Sequence, residues 1–486
     1  MYKSKGMINE MELKSRPKIG LLLIGAKRFR NLGADTSDGT YESRKLGEAD
    51  VLRRRLSEFA DVLFEKIVYE RADVDSAINR FFLERVDCVF AMYLSWAEDF
   101  TWIRFLRDMP PIPIFFASIV RDSLSITDTN DENQFIDFLS AGALVGVQEA
   151  SGSFKRFDRP MCDSFIGTLE DVATKFSSFA KAAHVRSQLR RTNLGLLACY
   201  NEAMWATYVD PYNIFSKIGP EIHFLSIQEL TDEISRVPDS LTDELTANIA
   251  SRYRMMPNVD YEKFKASVRA SYAMEQIAKQ SDIDLLVLND IDTVLFKYVG
   301  LRPGFTPTDN STEMVTVPEG DIGGGLATYI LQLLAGTNAN FIEPFYIDHA
   351  NGGFVAGHAG PNDYREAPEN VVIARDERFA KTSWKYAGAP FAWYVFPAGI
   401  KTMLHMSECD GVMKMVCTTV ECLPTKHYLA SYSHANFRHP TLSPEELFGR
   451  IIEKGVTQHY GIVAGDVTEE LRYVAKLCGF EYTLIK

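Results

Sequence analysis

Residues 18–25 read K-I-G-L-L-L-I-G, an apolar run with no polar residue after Lys18 and a glycine at its end. A strand of this kind must be covered on both faces, as in a parallel sheet flanked by helices. The following residues keep that rhythm. A charged turn over 26–33 leads into a helical pattern at 42–60, and D-V-L-F-E-K-I-V-Y at 61–69 reads as the next strand. A helical stretch at 73–86, a third strand at 87–93, a helix around 98–109 and a fourth strand at 112–117 continue it. Alternation at this period specifies a doubly wound parallel sheet. Its ligand crevice is expected beyond the strand ends, at 26–33 and 94–100. The first turn, G-A-K-R-F-R-N-L-G, lacks G-x-G-x-x-G, which argues against a dinucleotide.

A helical pattern over 163–189 joins this domain to a second. N-L-G-L-L-A-C-Y at 193–200 restarts the strand–helix rhythm, with further strands at 221–225 and 285–289 and a helix at 260–283. Past Gly336 the pattern changes to short β-like runs, at 354–356, 370–373, 411–420 and 481–485, separated by turns rich in Gly, Pro and Asp. That composition fits a small antiparallel barrel or sandwich. The expected architecture is α/β: Rossmann-like domains over 1–185 and 186–336, then a mainly antiparallel β-barrel domain over 337–486. Two Rossmann-like units in series suggest a cleft between them.

The chain has 486 residues and a net charge of −13, which argues against nucleic acid or an anionic membrane as a main partner. No run is long and apolar enough to span a bilayer, and Met1–Arg16 is polar rather than signal-like. The seven cysteines form no C-x-x-C pair, and several sit in apolar runs. They read as reduced core residues of a cytoplasmic protein.

Candidate chemistry concentrates between Val317 and Pro361. V-P-E-G-D-I-G-G-G opens an apolar helical run, where Glu319 and Asp321 could equally be helix caps. Glu343 stands in F-I-E-P-F-Y-I, where an ionised carboxylate must be paired, bind a metal, or face solvent from an edge strand, as Pro344 favours. His358, in A-G-H-A-G-P, has neighbours too small to shield it, and His459 in T-Q-H-Y-G is similar. Each reads as a ligand or as an exposed side chain. Carboxylate with imidazole is the mixed O/N donor set of Mn²⁺, Mg²⁺ or Zn²⁺.

Taken in order, E-G-D, F-x-E, G-H and a late histidine resemble the L-arabinose isomerase family, within the arabinose/fucose isomerase group, over nearly the whole chain. F-I-E-P-F corresponds to that family's F-M-E-D-Y type motif and A-G-H-A-G to its L-G-S-H type motif. His459 stands the family's distance before a closing strand, E-Y-T-L-I. The resemblance implies an aldose–ketose isomerase holding Mn²⁺ (or Co²⁺, Mg²⁺ or Zn²⁺) with Glu319, Glu343, His358 and His459. It also implies that the two glutamates double as proton shuttles, one moving a proton between C2 and C1 of a sugar and the other serving the hydroxyl. Substrate contacts are expected from Lys27, Tyr93 and Glu149, in a homo-trimer or homo-hexamer with sites at subunit contacts. The family carries G-S-Q-H-L-Y-G after its first strand; here Lys27 takes the Gln position, with Arg28 and Arg30 close by. Those cations suit an acidic or modified sugar, or else form a solvated basic turn. A decayed sugar-binding or regulatory protein of the same fold, and a metal-dependent hydrolase with the same ligands, are the alternatives.

Overall fold

The computed structural model describes residues 16–128, 130–141, 143–308 and 313–486, so all of Met1–Arg16 except Arg16 lies outside the described residues. Two compact units result: residues 16–187 with Glu470–Leu477, and Gln188–Glu469 with Cys478–Lys486.

The first unit is built on strands β1 (Lys18–Ile24), β2 (Asp61–Leu63), β3 (Cys88–Tyr93), β4 (Ile114–Ile119) and β5 (Cys162–Gly167). They form a parallel sheet in the order β2-β1-β3-β4-β5. The apolar runs that announced β1 and β3 are buried throughout, and Trp102, Phe105 and Phe116 pack against them. Two expectations need correction. The strand expected over 61–69 is paired only at Asp61–Leu63, and Val68 rejoins the sheet through a single bridge to Ile24. The helix expected from 163 begins at Leu169, because Cys162–Gly167 forms the edge strand β5. An edge strand with polar positions on a half-exposed face carries no continuous apolar signal.

The second unit begins with another parallel sheet. Its strands are β6 (Asn193–Leu197) and β7 (Glu221–Leu225), then, after the short β8 (Arg254–Met255), β9 (Leu285–Leu288) and β10 (Val315–Val317). The order is β10-β9-β6-β7. Next come the helix Ile322–Ala335 and strands β11 (Asn340–Asp348), β12 (Gly353–His358), β13 (Val372–Arg375) and β14 (Pro390–Trp393). Strands β15 (Gly399–Cys409), β16 (Val412–Leu423), β17 (Ser433–Arg438), β18 (Tyr460–Ala464) and β19 (Glu481–Leu484) complete the chain.

Strands β15-β18-β11-β12-β17-β16 pair antiparallel in that order, and β15 pairs again with β16 to close a six-stranded barrel. Closure removes the free edges that an open antiparallel sheet would expose. Ile342, Phe354, Ala356, Met403, Val416, Phe437 and Ile462 belong to its buried core. The β15–β16 hairpin turns at Asp410-Gly411, both with positive φ, a typical tight-turn pair. β11 is interior to the barrel, not an edge. Its pairing with β18 ends at Ile342 and its ladder with β12 shifts register after Pro344, so the missing proline N–H breaks no regular ladder bond there.

Candidate metal centre

Glu319 follows β10, at the carboxyl edge of the parallel sheet, where open α/β sheets place their ligands. Two residues later Asp321 caps the helix Ile322–Ala335, its carboxylate accepting from the Gly324 N–H at 2.9 Å. The glycines after it let the helix start lie directly on the barrel wall. A Cβ at Gly323 would come within 2.4 Å of the Met406 carbonyl, and one at Gly324 within 2.4 Å of the Phe341 ring. Met406 is on β15 and Phe341 on β11, and β18 runs between those strands. His459, just before β18, thereby meets the helix start, and His358 arrives at the end of β12.

The outcome is a buried cluster. One ligand atom each from Glu319, His358 and His459 lies within 4.8 Å of the others. His358 Nε2 is 3.7 Å from Glu319 Oε1, and His459 Nε2 is 3.2 Å from Glu319 Oε2. Both histidines are 0% exposed and Glu319 5%, so neither an exposed turn nor a solvated cap describes them. The Phe341 ring packs against both imidazoles, with centroids at 5.0 and 4.6 Å.

Hydrogen bonds set the tautomers. His358 Nδ1 donates to the Ala359 carbonyl at 2.5 Å, and His459 Nδ1 donates to Asp321 Oδ2 at 2.8 Å. Each ring therefore turns its Nε2 inward, the orientation a metal requires. Glu319 Oε2, His358 Nε2 and His459 Nε2 are all buried without a hydrogen-bond partner. Three buried polar atoms without hydrogen-bond partners, gathered at one place, are costly in a protein interior unless a cation joins them. Oxygen with two imidazole nitrogens fits a divalent ion. Burial would raise the Glu319 carboxyl, but His358 and His459 beside it hold it well below the usual carboxylate range. Burial would lower His459, but Asp321 and Glu319 raise it to about 9, so without a metal its Nε2 carries a proton that a bound cation would displace.

The backbone at Glu319 is left-handed, with φ 66°, a conformation a non-glycine residue keeps only when its surroundings enforce it. They do. Glu319 N–H donates to Asp290 Oδ1 at 2.9 Å, and Asn201 Nδ2 donates to the Glu319 carbonyl at 3.2 Å. Arg302 Nε donates to Asp290 Oδ2 at 2.8 Å, and its Nη2 reaches the Ala359 carbonyl at 3.5 Å. One buried ion pair thus braces Glu319 and the residue after His358. His405 Nδ1 donates to the His459 carbonyl at 2.7 Å. Asn201, Asp290, Arg302 and His405 escaped the sequence reading. Only Asp290, a polar residue just past the buried strand β9, carried a usable signal.

Glu343 is half-buried and is not one of the three converging donors. Phe341 pairs with Gly461 and Ile342 with Tyr460, where the pairing ends, so Glu343 and His459 each lie one residue past the last pair. On its other side it faces Gly357, which has no side chain to cover it. The remaining site candidates belong to the first unit. Lys27 pairs with Glu70 at 2.5 Å, Arg28 with Glu98 at 2.9 Å and Arg30 with Glu42 at 2.8 Å, so each cation of that turn already has a carboxylate. Arg28 lies over Trp96, whose indole N–H donates to Glu149 at 2.9 Å. Tyr93 is 1% exposed and its hydroxyl has no hydrogen-bond partner.

Asp321→Ala removes a helix cap and the group that orients His459. It should lower stability by about 1 kcal/mol and metal affinity by roughly 10- to 100-fold, read by thermal unfolding and by competition with a chelator. Acid should also destabilise the protein. Burial holds His405 and His434 below the usual histidine range of 6.5, and burial with the neighbouring His434 lowers His427 to about 4. Unfolded histidines take up protons near 6.5 and these folded ones only at lower pH, so stability is full above 6.5 and falls from there toward about 4. His459 acts oppositely, adding stability as pH falls from about 9 toward 6.5. Urea midpoints for the metal-free protein should therefore be lower at about pH 5 than at about pH 6.5.

No family model matches the chain. It is similar to proteins described as sulfoquinovose isomerase from Priestia aryabhattai and Priestia megaterium, at 21% identity over 348 residues, covering 71% of this chain and 76% of each relative. A protein of the same description from Alkalicoccus urumqiensis is 21% identical over 354 residues, covering 70% of this chain and 75% of the relative. No helix among the described residues is long and apolar enough to cross a membrane. Similarity to sugar isomerases over most of both chains, beside a buried Glu/His/His group able to hold a metal, supports a sugar isomerase.

Proposed function

We propose that this protein is a divalent-metal-dependent aldose–ketose isomerase acting on a sugar that bears a sulfonate or similar acidic group. The observation that carries the reading is the set of three buried, partnerless ligand atoms of Glu319, His358 and His459, in a chain similar to sulfoquinovose isomerases. Those three residues would hold the cation, with Glu343 beside them. When bound, a divalent ion supplies Lewis-acid stabilisation of negative charge developing on the sugar's O1 and O2. Mn²⁺ and a homo-trimer or homo-hexamer belong to the proposal on the resemblance to the L-arabinose isomerase family.

The protein's own groups carry the protons. Glu343, half-exposed and, like His459, one residue past the last β11–β18 pair, takes the proton from C2 and returns it to C1. Glu319 moves the hydroxyl proton between O2 and O1. One C–H bond breaks and one forms, so no external oxidant or reductant is needed. Asp321 keeps His459 Nε2 directed at the site through its 2.8 Å bond to Nδ1. Lys27, Tyr93 and Glu149 remain proposed substrate contacts.

A panel of neutral pentoses, deoxyhexoses and acidic sugars, read by ketose formation at unchanged mass, tests this reading. A sulfonated aldose should be turned over best. Turnover of L-arabinose or L-fucose above every acidic sugar would remove the acidic substrate from the proposal.

A further inference from the structure

Two arginines stand near the groups that brace the metal centre, and they differ in hydrogen bonding: the Nε and Nη2 of Arg302 are taken up by Asp290, those of Arg378 by no acceptor. Arg302 is bound to Asp290 and fully buried. Arg378, on the segment after β13, has its Nη1 on the Tyr432 hydroxyl at 3.3 Å. Its guanidinium lies over the Phe379 and Tyr432 rings at 5.1 and 5.3 Å. Its Nε and Nη2 are buried and have no hydrogen-bond partner. That edge of a guanidinium is the one that donates two parallel bonds to an oxyanion. Burial would lower Arg378 and Tyr432 raises it, as do the carboxylates of Asp376 and Asp290 through their charge. Asp376, however, accepts from Arg378's own backbone N–H at 3.1 Å and faces Arg302 Nη1 at 3.7 Å, and neither carboxylate bonds the Nε/Nη2 edge. Among the described residues no ion pair reaches Arg378. A buried cationic fork without acceptors is costly, and a bound anion would remove that cost.

Two independent chains of contact tie this fork to the reacting end of the site. Tyr432 precedes Ser433, which pairs with His358 across β12 and β17, and the Tyr432 ring packs on Phe345 at 4.9 Å, two residues beyond Glu343. On the other side Phe379 also carries Arg302, at 5.1 Å, and Arg302 reaches the carbonyl next to His358. The fork therefore lies near the metal ligands without being one of them.

We propose that the Nε/Nη2 edge of Arg378 binds the sulfonate of the sugar substrate, at the end of the molecule remote from the carbons that react. This rests on the isomerase reading above. It makes Arg378 a specificity residue: its planar fork matches two oxygens of a sulfonate, which a neutral hydroxymethyl or methyl group does not offer.

The test uses the full chain loaded with Mn²⁺. Wild type, Arg378→Lys and Arg378→Met are compared for kcat/KM on sulfoquinovose and on its neutral 6-deoxy counterpart, with metal content and Tm measured for each. Arg378→Met should lose on the order of 100-fold on the sulfonated sugar, mainly in KM. Discrimination against the neutral sugar should fall with it, metal content should hold, and Arg378→Lys should recover part of the loss. Should Arg378→Met fail to fold, Arg378→Lys alone must show a raised KM. A folded, metal-loaded variant with the wild-type KM for sulfoquinovose overturns the subsite and leaves the isomerase reading intact. A wild type that isomerises only neutral sugars overturns it as well. If the wild type isomerises no aldose, the functional reading fails, and calorimetric titration with a short alkanesulfonate decides the subsite alone. Binding to wild type and not to Arg378→Met supports it; equal binding or none refutes it.

Discussion

Glu319→Gln should give a folded protein that no longer retains a divalent cation and whose isomerase activity is down by on the order of 10³-fold or more. The substitution keeps the shape of the side chain and the two backbone bonds, to Asp290 and Asn201, that hold its left-handed conformation. It removes the only carboxylate among the three converging donors. The glutamine amide can donate to the imidazole nitrogens that Glu319 now faces, so the metal-free variant should unfold near the metal-free wild type. Metal should separate them. A cation that binds only the folded state raises wild-type Tm by mass action, and the variant should show no such rise. Metal content after dialysis and Tm with and without added Mn²⁺ check this directly.

Arg302→Met should be among the most destabilising single substitutions in the second unit, at about 3–5 kcal/mol. The side chains of Arg302 and Asp290 are 2% and 0% exposed. Removing the arginine strands the Asp290 charge in the interior, beside an Asp376 that also faces Arg302 at 3.7 Å. Methionine fills much of the space between the Phe379 and Phe391 rings that now contact the guanidinium, so lost charge pairing rather than a cavity should dominate. Adding Asp290→Asn should restore part of the stability, because an amide needs no counter-charge and its oxygen can still accept from Glu319 N–H. Denaturant unfolding of both singles and the double variant measures the coupling. A loss below about 1 kcal/mol for Arg302→Met would mean that the pair does not brace the site.

Local signals in the sequence reached far into the fold where they were repetitive. The apolar runs of β1, β3 and β9 identified parallel strands because burial on both faces demands it. β15 was missed because buried Lys401 and His405 interrupt its apolar pattern, although the Asp410-Gly411 turn beside it was a hairpin signal. At the metal centre, Glu319, His358 and His459 each had an ordinary alternative reading, and only their spacing relative to a known family joined them. Asp321 shows why the alternatives could not be separated in the sequence: it is both the helix cap and the partner of His459. The bracing groups were illegible for another reason. Asp290 and Arg302 stand in loops and meet Glu319 and Ala359 only after the sheet and barrel have formed. Lys27, Arg28 and Arg30 looked like an open basic turn because their glutamates lie 43, 70 and 12 residues away in the chain.

Metal-dependent isomerisation of an acidic sugar is most directly tested by incubating the chelator-stripped chain with sulfoquinovose before and after adding back Mn²⁺, Co²⁺, Mg²⁺ or Zn²⁺ and following the ketose by mass-resolved chromatography. A ketose of unchanged mass should form with a restored cation, not in the stripped protein, and not with Glu319→Gln under any cation. Ketose formation at the full rate in the stripped protein, or by Glu319→Gln, would contradict the role given to the buried Glu319/His358/His459 centre.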